Sequence, residues 1–226
     1  MCHNNILVSY DTYYRRYNKD CFQTSYCGIL MSDEKQKISI EQLRIEELES
    51  RHLGIIKSFE TDCKELKDFL IEDAFINQQI AISKTYLWFY NPTNDFVGYI
   101  TLLTDAIRVH GTNLGKRFID MGIQYRTLPA IKIGRMCVDK KYSGRGIGTN
   151  MIYFSMKNLV ELEKRIGCRF IVLDAKTTTH AANFYKRFGF EILKDRNKGT
   201  IPMFNDMIKI IEYQREQRHK NKRDFK

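Results

Sequence analysis

The sequence predicts a mixed fold of strands and helices, one domain or slightly more in 226 residues. Three observations lead there. Ile131–Thr149 reads as an apolar strand running into a glycine-rich, basic turn that opens a helix. Arg169–Leu193 reads as strand, short helix and strand, and Thr85–Leu103 reads as a hairpin.

Taken in order, Ile38, Ile40 and Leu43 suggest a first strand. From Asp62, a candidate N-cap, Leu66, Phe69, Leu70, Ala74 and Ile76 recur at three- and four-residue intervals, the mark of a helix with one apolar face. Thr85–Tyr90 and Phe96–Leu103 flank Asn91-Pro-Thr-Asn-Asp95, whose residues favour a turn. Residues 104–126 show no clear period and are read either as a mobile loop or as a lid with a short helix. A strand over 130–138 then leads to a helix from Ile147 to about Arg165, with a core stripe of Met151, Ile152, Phe154, Ser155, Leu159 and Leu162. Arg169–Asp174 is a strand, Thr178–Gly189 a short helix ended by glycine, and Phe190–Leu193 another strand. The last strand is placed at Met203–Ile210, and the segment after Tyr213 is polar enough to fray.

Composition narrows the function. A hydrophobic content of 43% and aromatic content of 12% suit an ordered globule. No run of 18 apolar residues exists, and the first twenty residues lack the apolar core of a signal peptide, so a cytoplasmic protein with no membrane partner is expected. The six cysteines, at 2, 21, 27, 63, 137 and 168, form no C-x-x-C pair and argue against both a zinc ribbon and a disulfide framework. Cys137 sits in an apolar strand and reads as a small buried hydrophobe rather than a nucleophile. No His, Cys, Asp and Glu cluster stands at ligand spacing, so no metal is expected. The net charge of +10 makes polyanions plausible partners. Lys116, Arg117, Arg126, Lys132, Arg135, Lys140, Lys141 and Arg145 are candidates for one basic field. Arg215, Arg218, Lys220, Lys222 and Arg223 concentrate at the end, where a solvated helix end tuned for solubility competes with RNA contact.

The glycine-rich turn carries the chemistry. Gly144, Gly146 and Gly148 remove Cβ atoms that would keep a ligand off the backbone, and the first turn of the helix leaves several N–H groups without intrahelical partners. Those donors, the positive end of the helix dipole and the charge of Arg145 describe a pyrophosphate site. No lysine followed by Ser or Thr closes the loop, which argues against a nucleoside-triphosphate cradle. Thr149 in the last position and the lack of a preceding βαβ repeat argue against a dinucleotide fingerprint. A plain glycine-rich connection competes for this loop alone.

Ser143-Gly-Arg-Gly-Ile-Gly148 resembles the acetyl-coenzyme A loop (Q/R)-x-x-G-x-(G/A) of the GNAT superfamily of N-acetyltransferases, with Ser143 where the family prefers Gln or Arg. Phe184-Tyr-Lys-Arg-Phe-Gly-Phe190 is similar to the second half of that signature, about 40 residues on and in the expected order. Ser58–Ala74, Leu128–Asp139 and Thr200–Met203 look like the subgroup that includes the aminoacyl-tRNA-acetylating toxins. The resemblance runs over roughly residues 38–211, and the stretch from Thr104 to Arg126 looks long for the subgroup. It divides the chain into an N-terminal extension at 1–36, an acetyltransferase domain at 37–211 and a basic tail at 212–226.

The resemblance implies a mixed α/β (α+β) GNAT fold. Its central twisted sheet is mostly antiparallel, splayed at the acetyl-CoA strand and flanked by helices. It also implies acetyl-CoA as co-substrate, with no metal. Met136, Cys137 and Val138 would line the pantetheine arm, with main-chain groups of Met136 and Val138 pairing with it and the Val138 amide donating to the thioester oxygen. Ser143, Gly144, Arg145, Gly146, Ile147, Gly148 and Thr149 would hold the phosphates. Tyr185 is the implied general acid, because a phenol of pKa about 10 matches a thiolate leaving group. Asn183, just before the motif, is a weaker cofactor candidate, since Thr178 stands where the family often has asparagine. No general base is visible, and lone His110 and His180 are poor candidates.

Three functions compete: acetylation of the α-amine of aminoacyl-tRNA, acetylation of a protein, peptide or small-molecule amine, and a catalytically inactive acetyl-CoA- or RNA-binding module. The missing base slightly favours an α-amine, which loses its proton near pH 8 without help. A homodimer and an antitoxin-like protein are the further candidate partners.

Overall fold

The structure is a computed structural model that describes residues 35–177, 181–194 and 199–223. Strand β1 spans Leu43–Glu47. Helix α1, Lys64–Asp68, passes through a π turn at Phe69–Asp73 into α2, Ala74–Gln79. Strands β2, Lys84–Tyr90, and β3, Asp95–Arg108, precede helix α3, Asn113–Asp120. Strand β4, Thr127–Val138, precedes helix α4, Ile147–Glu163. Then come β5, Phe170–Lys176; α5, Ala181–Lys186; β6, Glu191–Ile192; β7, Thr200–Asp206; and α6, Ile208–Arg223. Among the described residues, seven strands make one sheet in the order β1-β2-β3-β4-β5-β7-β6. β1–β2, β2–β3, β5–β7 and β6–β7 pair antiparallel, whereas Ala130–Lys132 of β4 pair parallel with Phe170–Val172 of β5. The mixed α/β expectation holds.

The chain divides into two compact units. The first takes the residues up to Leu103 together with Ile133–Lys157. The π turn and α2 bury Leu70 and Ala74 against Leu87, Phe89 and Tyr99 of the hairpin. That hairpin turns at Asn91–Asn94, where Asn94 takes φ +56°, a conformation asparagine tolerates better than most residues. On α4, Met151, Ile152, Ser155 and Leu159 are buried as the stripe predicts, but so are Tyr153, Met156 and Val160. Phe154 is only half-buried and meets Tyr86 and Trp88 edge-on, with centroids 4.8 and 5.7 Å away.

The second unit takes Thr104–Lys132 and the chain from Asn158 onward. The short-helix alternative for residues 104–126 is the one observed: β3 continues to Arg108 and α3 comes after it. The Thr112 hydroxyl caps α3 by accepting from Gly115 N (3.1 Å) while donating to Val109 O (2.7 Å). Leu114 and Phe118 of α3 pack with Phe170 and Phe204. Arg169 forms a two-pronged ion pair with Asp206, both contacts 2.7 Å, and lays its guanidinium over Phe118.

Four sequence expectations are corrected. Residues 40–42 form a 3-10 turn, so the first strand begins at Leu43, and the Gln42 side chain accepts from Ser39 N to close that turn. Asp62 does not cap α1. Cys63 occupies that position, and Asp62 pairs instead with Lys140 at 2.6 Å. The π turn inserts a residue and rotates α2 about its axis by roughly 100°, which leaves Ile76 56% exposed rather than in the core. The last strand ends at Asp206, where the Asp206 carboxylate accepts from Ile208 N and starts α6. The chain beyond 212 therefore continues α6 to Arg223, and Arg215 and Arg218 both pair with the nearly buried Glu163 of α4.

Candidate active site

The glycine-rich turn lies in the first unit. β4 ends at Val138, and the buried Asp139 carboxylate fixes the chain as it leaves the strand. One oxygen accepts from Lys141 N and the other from Glu60 N, both 2.9 Å. A 3-10 turn over Lys140–Tyr142 then delivers the chain to Gly144 and Gly146, which take φ of +83° and +86°. Only glycine reaches those angles without strain, so the turn depends on both. Beyond it, Asn150 N, on Gly146 O at 3.2 Å, is the first N–H of α4 in a main-chain bond among the described residues. The amides of residues 144–149 therefore stand as a cluster of donors at a helix start, as anion binding requires.

Arg145 does not send its guanidinium into that cluster. Its Nε donates to Gln36 O (3.0 Å), and the group lies over the rings of Tyr90 and Tyr142, 5.5 and 5.4 Å from their centroids. Tyr142 is anchored in turn on Asp95, and that bond, with help from Lys141 and Thr93, holds the Asp95 carboxyl below its ordinary range. A cleft of about 500 Å³ is lined by Glu60, Asp95 and Asp139–Tyr142, the residues that lead into the turn.

The main chain of β4 is polarised by its pleat. Asp139 N donates to Val97 O at 2.9 Å, so alternation along the strand puts Cys137 on the edge shared with β3 and the N–H and C=O groups of Met136 and Val138 on the other. The same edge leaves no room at Gly98, where a Cβ would come within 2.7 Å of both Cys137 O and Met151 Cε. Cys137 is a packed thiol: burial pushes its pKa up, and its sulfur contacts the Thr61 hydroxyl at 3.2 Å. That matches a small hydrophobe and opposes a nucleophile.

Tyr185 lies in the second unit, near the end of α5. The motif around it is a helix stop. Gly189 takes φ +76°, Phe190 N donates to Tyr185 O (3.4 Å) and Gly189 N donates to Lys186 O (3.0 Å). These are the two bonds of a Schellman ending, and its usual apolar contact is present between Tyr185 and Phe190, whose centroids lie 5.7 Å apart. Phe184 adds an edge contact at 5.2 Å. The turn is tied to the sheet by buried Asn205, whose amide donates to Phe188 O at 2.6 Å. The ring of Tyr185 is therefore held from two sides while remaining half-buried. Asn183 is exposed on the same helix, and His110 is exposed in a turn; Thr178 and His180 lie outside the described residues.

Sequence reasoning missed two features. Between α1 and β4, the Arg135 guanidinium lies over the Phe69 ring at 5.2 Å and 3.8 Å from Glu65, while buried Tyr99 donates to Leu66 O at 2.7 Å. In the second unit, Lys132 bridges Asp174 (2.8 Å) and Asp105 (3.8 Å) on the wall of a pocket of about 310 Å³. The basic residues also carry less free charge than their number suggests. Arg117, Lys132, Arg135, Lys140 and Lys141 all face carboxylates. Among the described residues no group of His, Cys, Asp and Glu has metal-binding geometry, and no helix is long and apolar enough to cross a membrane.

Residues 83–192, which include the open glycine turn and the Tyr185 helix stop, match the family model for the acetyltransferase (GNAT) domain. The chain carries a GNAT acetyltransferase domain. It is accordingly an acyltransferase. A tRNA-acetylating toxin of Mycobacterium tuberculosis is 27% identical over 137 residues, 61% of this chain and 78% of that protein. The crystal structure of a tyrosine-to-phenylalanine mutant of KacT superposes with a TM-score of 0.66 at 26% identity, over 76% of this chain and 99% of that one. AtaT complexed with acetyl-methionyl-tRNAfMet gives 0.64 at 22% identity, over 74% and 96%, a likeness of fold.

Proposed function

We propose that this GNAT enzyme transfers an acetyl group from acetyl-CoA to the α-amine of aminoacyl-tRNA. The observation that carries the donor half is the glycine turn at 144–146, whose left-handed glycines are followed by a row of amides at the start of α4 that have no main-chain partner among the described residues. The acceptor half rests on a relative named a tRNA-acetylating toxin and on a fold neighbour complexed with acetyl-methionyl-tRNAfMet. Acetyl-CoA supplies an activated thioester when bound. The amides from Gly144 to Thr149 hold its pyrophosphate against the helix dipole. Met136 and Val138 offer main-chain groups on the open edge of β4 to the pantetheine arm, and Val138 N–H stabilises charge developing on the thioester oxygen. The amine nitrogen forms a bond to the acyl carbon, the C–S bond breaks, Tyr185 gives its phenolic proton to the sulfur, and the amine's proton passes to solvent, which returns a proton to Tyr185. An α-amine is substantially neutral near pH 8, so the step needs no strong base from the chain.

The protein, peptide or small-molecule reading draws support from one observation: the carboxylate partners of Lys132, Lys140 and Lys141 leave less positive field for a polyanion. One experiment separates the two readings. Cell extract incubated with enzyme and isotope-labelled acetyl-CoA is split into tRNA, protein and metabolite fractions. Label that enters the tRNA fraction, and leaves it on mild deacylation, supports the tRNA reading; label confined to protein or metabolites overturns it. Cytoplasmic residence, a homodimer and an antitoxin-like partner belong to the same proposal, and copurification from the native host tests the last two.

A further inference from the structure

Ser143 stands where a long polar side chain would serve the phosphate loop, and Arg145 is turned away onto Tyr90 and Tyr142. The segment that precedes the first 3-10 turn makes up the difference. Residues 35–38 run along the glycine turn and touch it through Lys35, Gln36 and Ile38. Lys35 Nζ donates to Ser143 O at 3.2 Å, and its Cδ lies 3.9 Å from where a Cβ on Gly144 would be. Gln36 O accepts from Arg145 Nε (3.0 Å), and Ile38 N donates to Arg145 O (2.9 Å). Ile38, only 4% exposed, anchors the strap. Its carbonyl lies 4.0 Å from the Cβ position of Gly146.

On the acetyl-CoA reading above, we infer that Lys35 is a phosphate ligand of the cofactor, supplied from outside the loop in place of the missing side chain at 143. The ammonium has three donors and spends one on Ser143 O, at the first residue of the anion site. The main chain next to Lys35 is tied to the turn at Gln36 and Ile38, so little ordering is required when the pyrophosphate arrives. The ligand group assigned is the pyrophosphate, because the contacts of the strap are with residues 143–146.

The test is calorimetry on Lys35→Gln and Lys35→Arg with acetyl-CoA, 3′-dephospho-CoA and pantetheine. Loss of one charge-assisted contact is expected to weaken acetyl-CoA binding about tenfold in Lys35→Gln, with the same factor for 3′-dephospho-CoA, no effect on pantetheine, and recovery in Lys35→Arg. The side chain is exposed, so the thermal midpoint should not move and a folding defect is separable. Affinity of Lys35→Gln within about twofold of wild type overturns the assignment. A loss that vanishes with 3′-dephospho-CoA overturns it in favour of the 3′-phosphate. Wild-type protein that fails to bind acetyl-CoA overturns the acetyl-CoA reading and this inference together; binding by wild type with no Lys35 effect removes only the latter.

Discussion

The two signature segments both use glycine with positive φ at a helix end, and they treat their donors in opposite ways. At the start of α4, Gly144 and Gly146 carry the chain past a helix terminus whose first amides find no main-chain partner among the described residues. At the end of α5, Gly189 turns the chain so that its own amide and that of Phe190 are both taken by main-chain carbonyls. The first arrangement leaves donors for a ligand. The second leaves none, and its product is a fixed aromatic ring. A glycine motif is therefore not by itself a binding signal; what matters is whether the turn opens or closes the backbone donors around it.

Three substitutions test that contrast. The largest effect is expected at the ring: Tyr185→Phe keeps the Schellman bonds and the Phe190 contact but removes the acid, so turnover should fall about a hundredfold with unchanged thermal midpoint and acetyl-CoA affinity. Turnover equal to wild type would remove the role. Next, Gly146→Val places a branched side chain at φ +86° on the open turn. Acetyl-CoA affinity by calorimetry should drop about tenfold or more, through distortion of the amide row, with about 1–2 kcal/mol of lost stability. Unaltered affinity would show that the row is not the anion site. The smallest effect belongs to the closed turn. Gly189→Ala should cost about 1 kcal/mol, a shift of roughly 2–4 °C in a chain this size, and lower turnover modestly while leaving acetyl-CoA affinity alone. A loss of affinity as large as that of Gly146→Val would erase the distinction between the two ends.

How much was legible depends on where each determinant lies along the chain. Both glycine turns, the hairpin around Asn91–Asn94 and the strand before Asp139 leave local marks, because special backbone angles and alternation are written in neighbouring residues. The register of α2 was hidden, since nothing in Phe69–Asp73 announces a π turn. Met207–Ile210 misled because a short apolar run suits a strand as well as a helix; Asp206 decides it by bonding Ile208 N, an interaction with no signature at the level of period. In the site, the edge polarity of β4 was inferable, whereas Asn205 on Phe188 O, Arg135 on Phe69 and Lys35 on Ser143 join distant positions and leave no local pattern.

The crowding at Gly98 reaches beyond packing. The position lies between Cys137 O and Met151 Cε, with no space for a single methyl. The Met151 methyl can swing away, but any replacement must push the β4 backbone at Cys137 and Val138 aside, and β4 is the strand that delivers the chain to the anion turn. A saturation library scored for acetylation would then show position 98 as intolerant as the signature glycines, although it touches no substrate. Engineers grafting only the signature residues onto another scaffold would inherit the hands without the wrist.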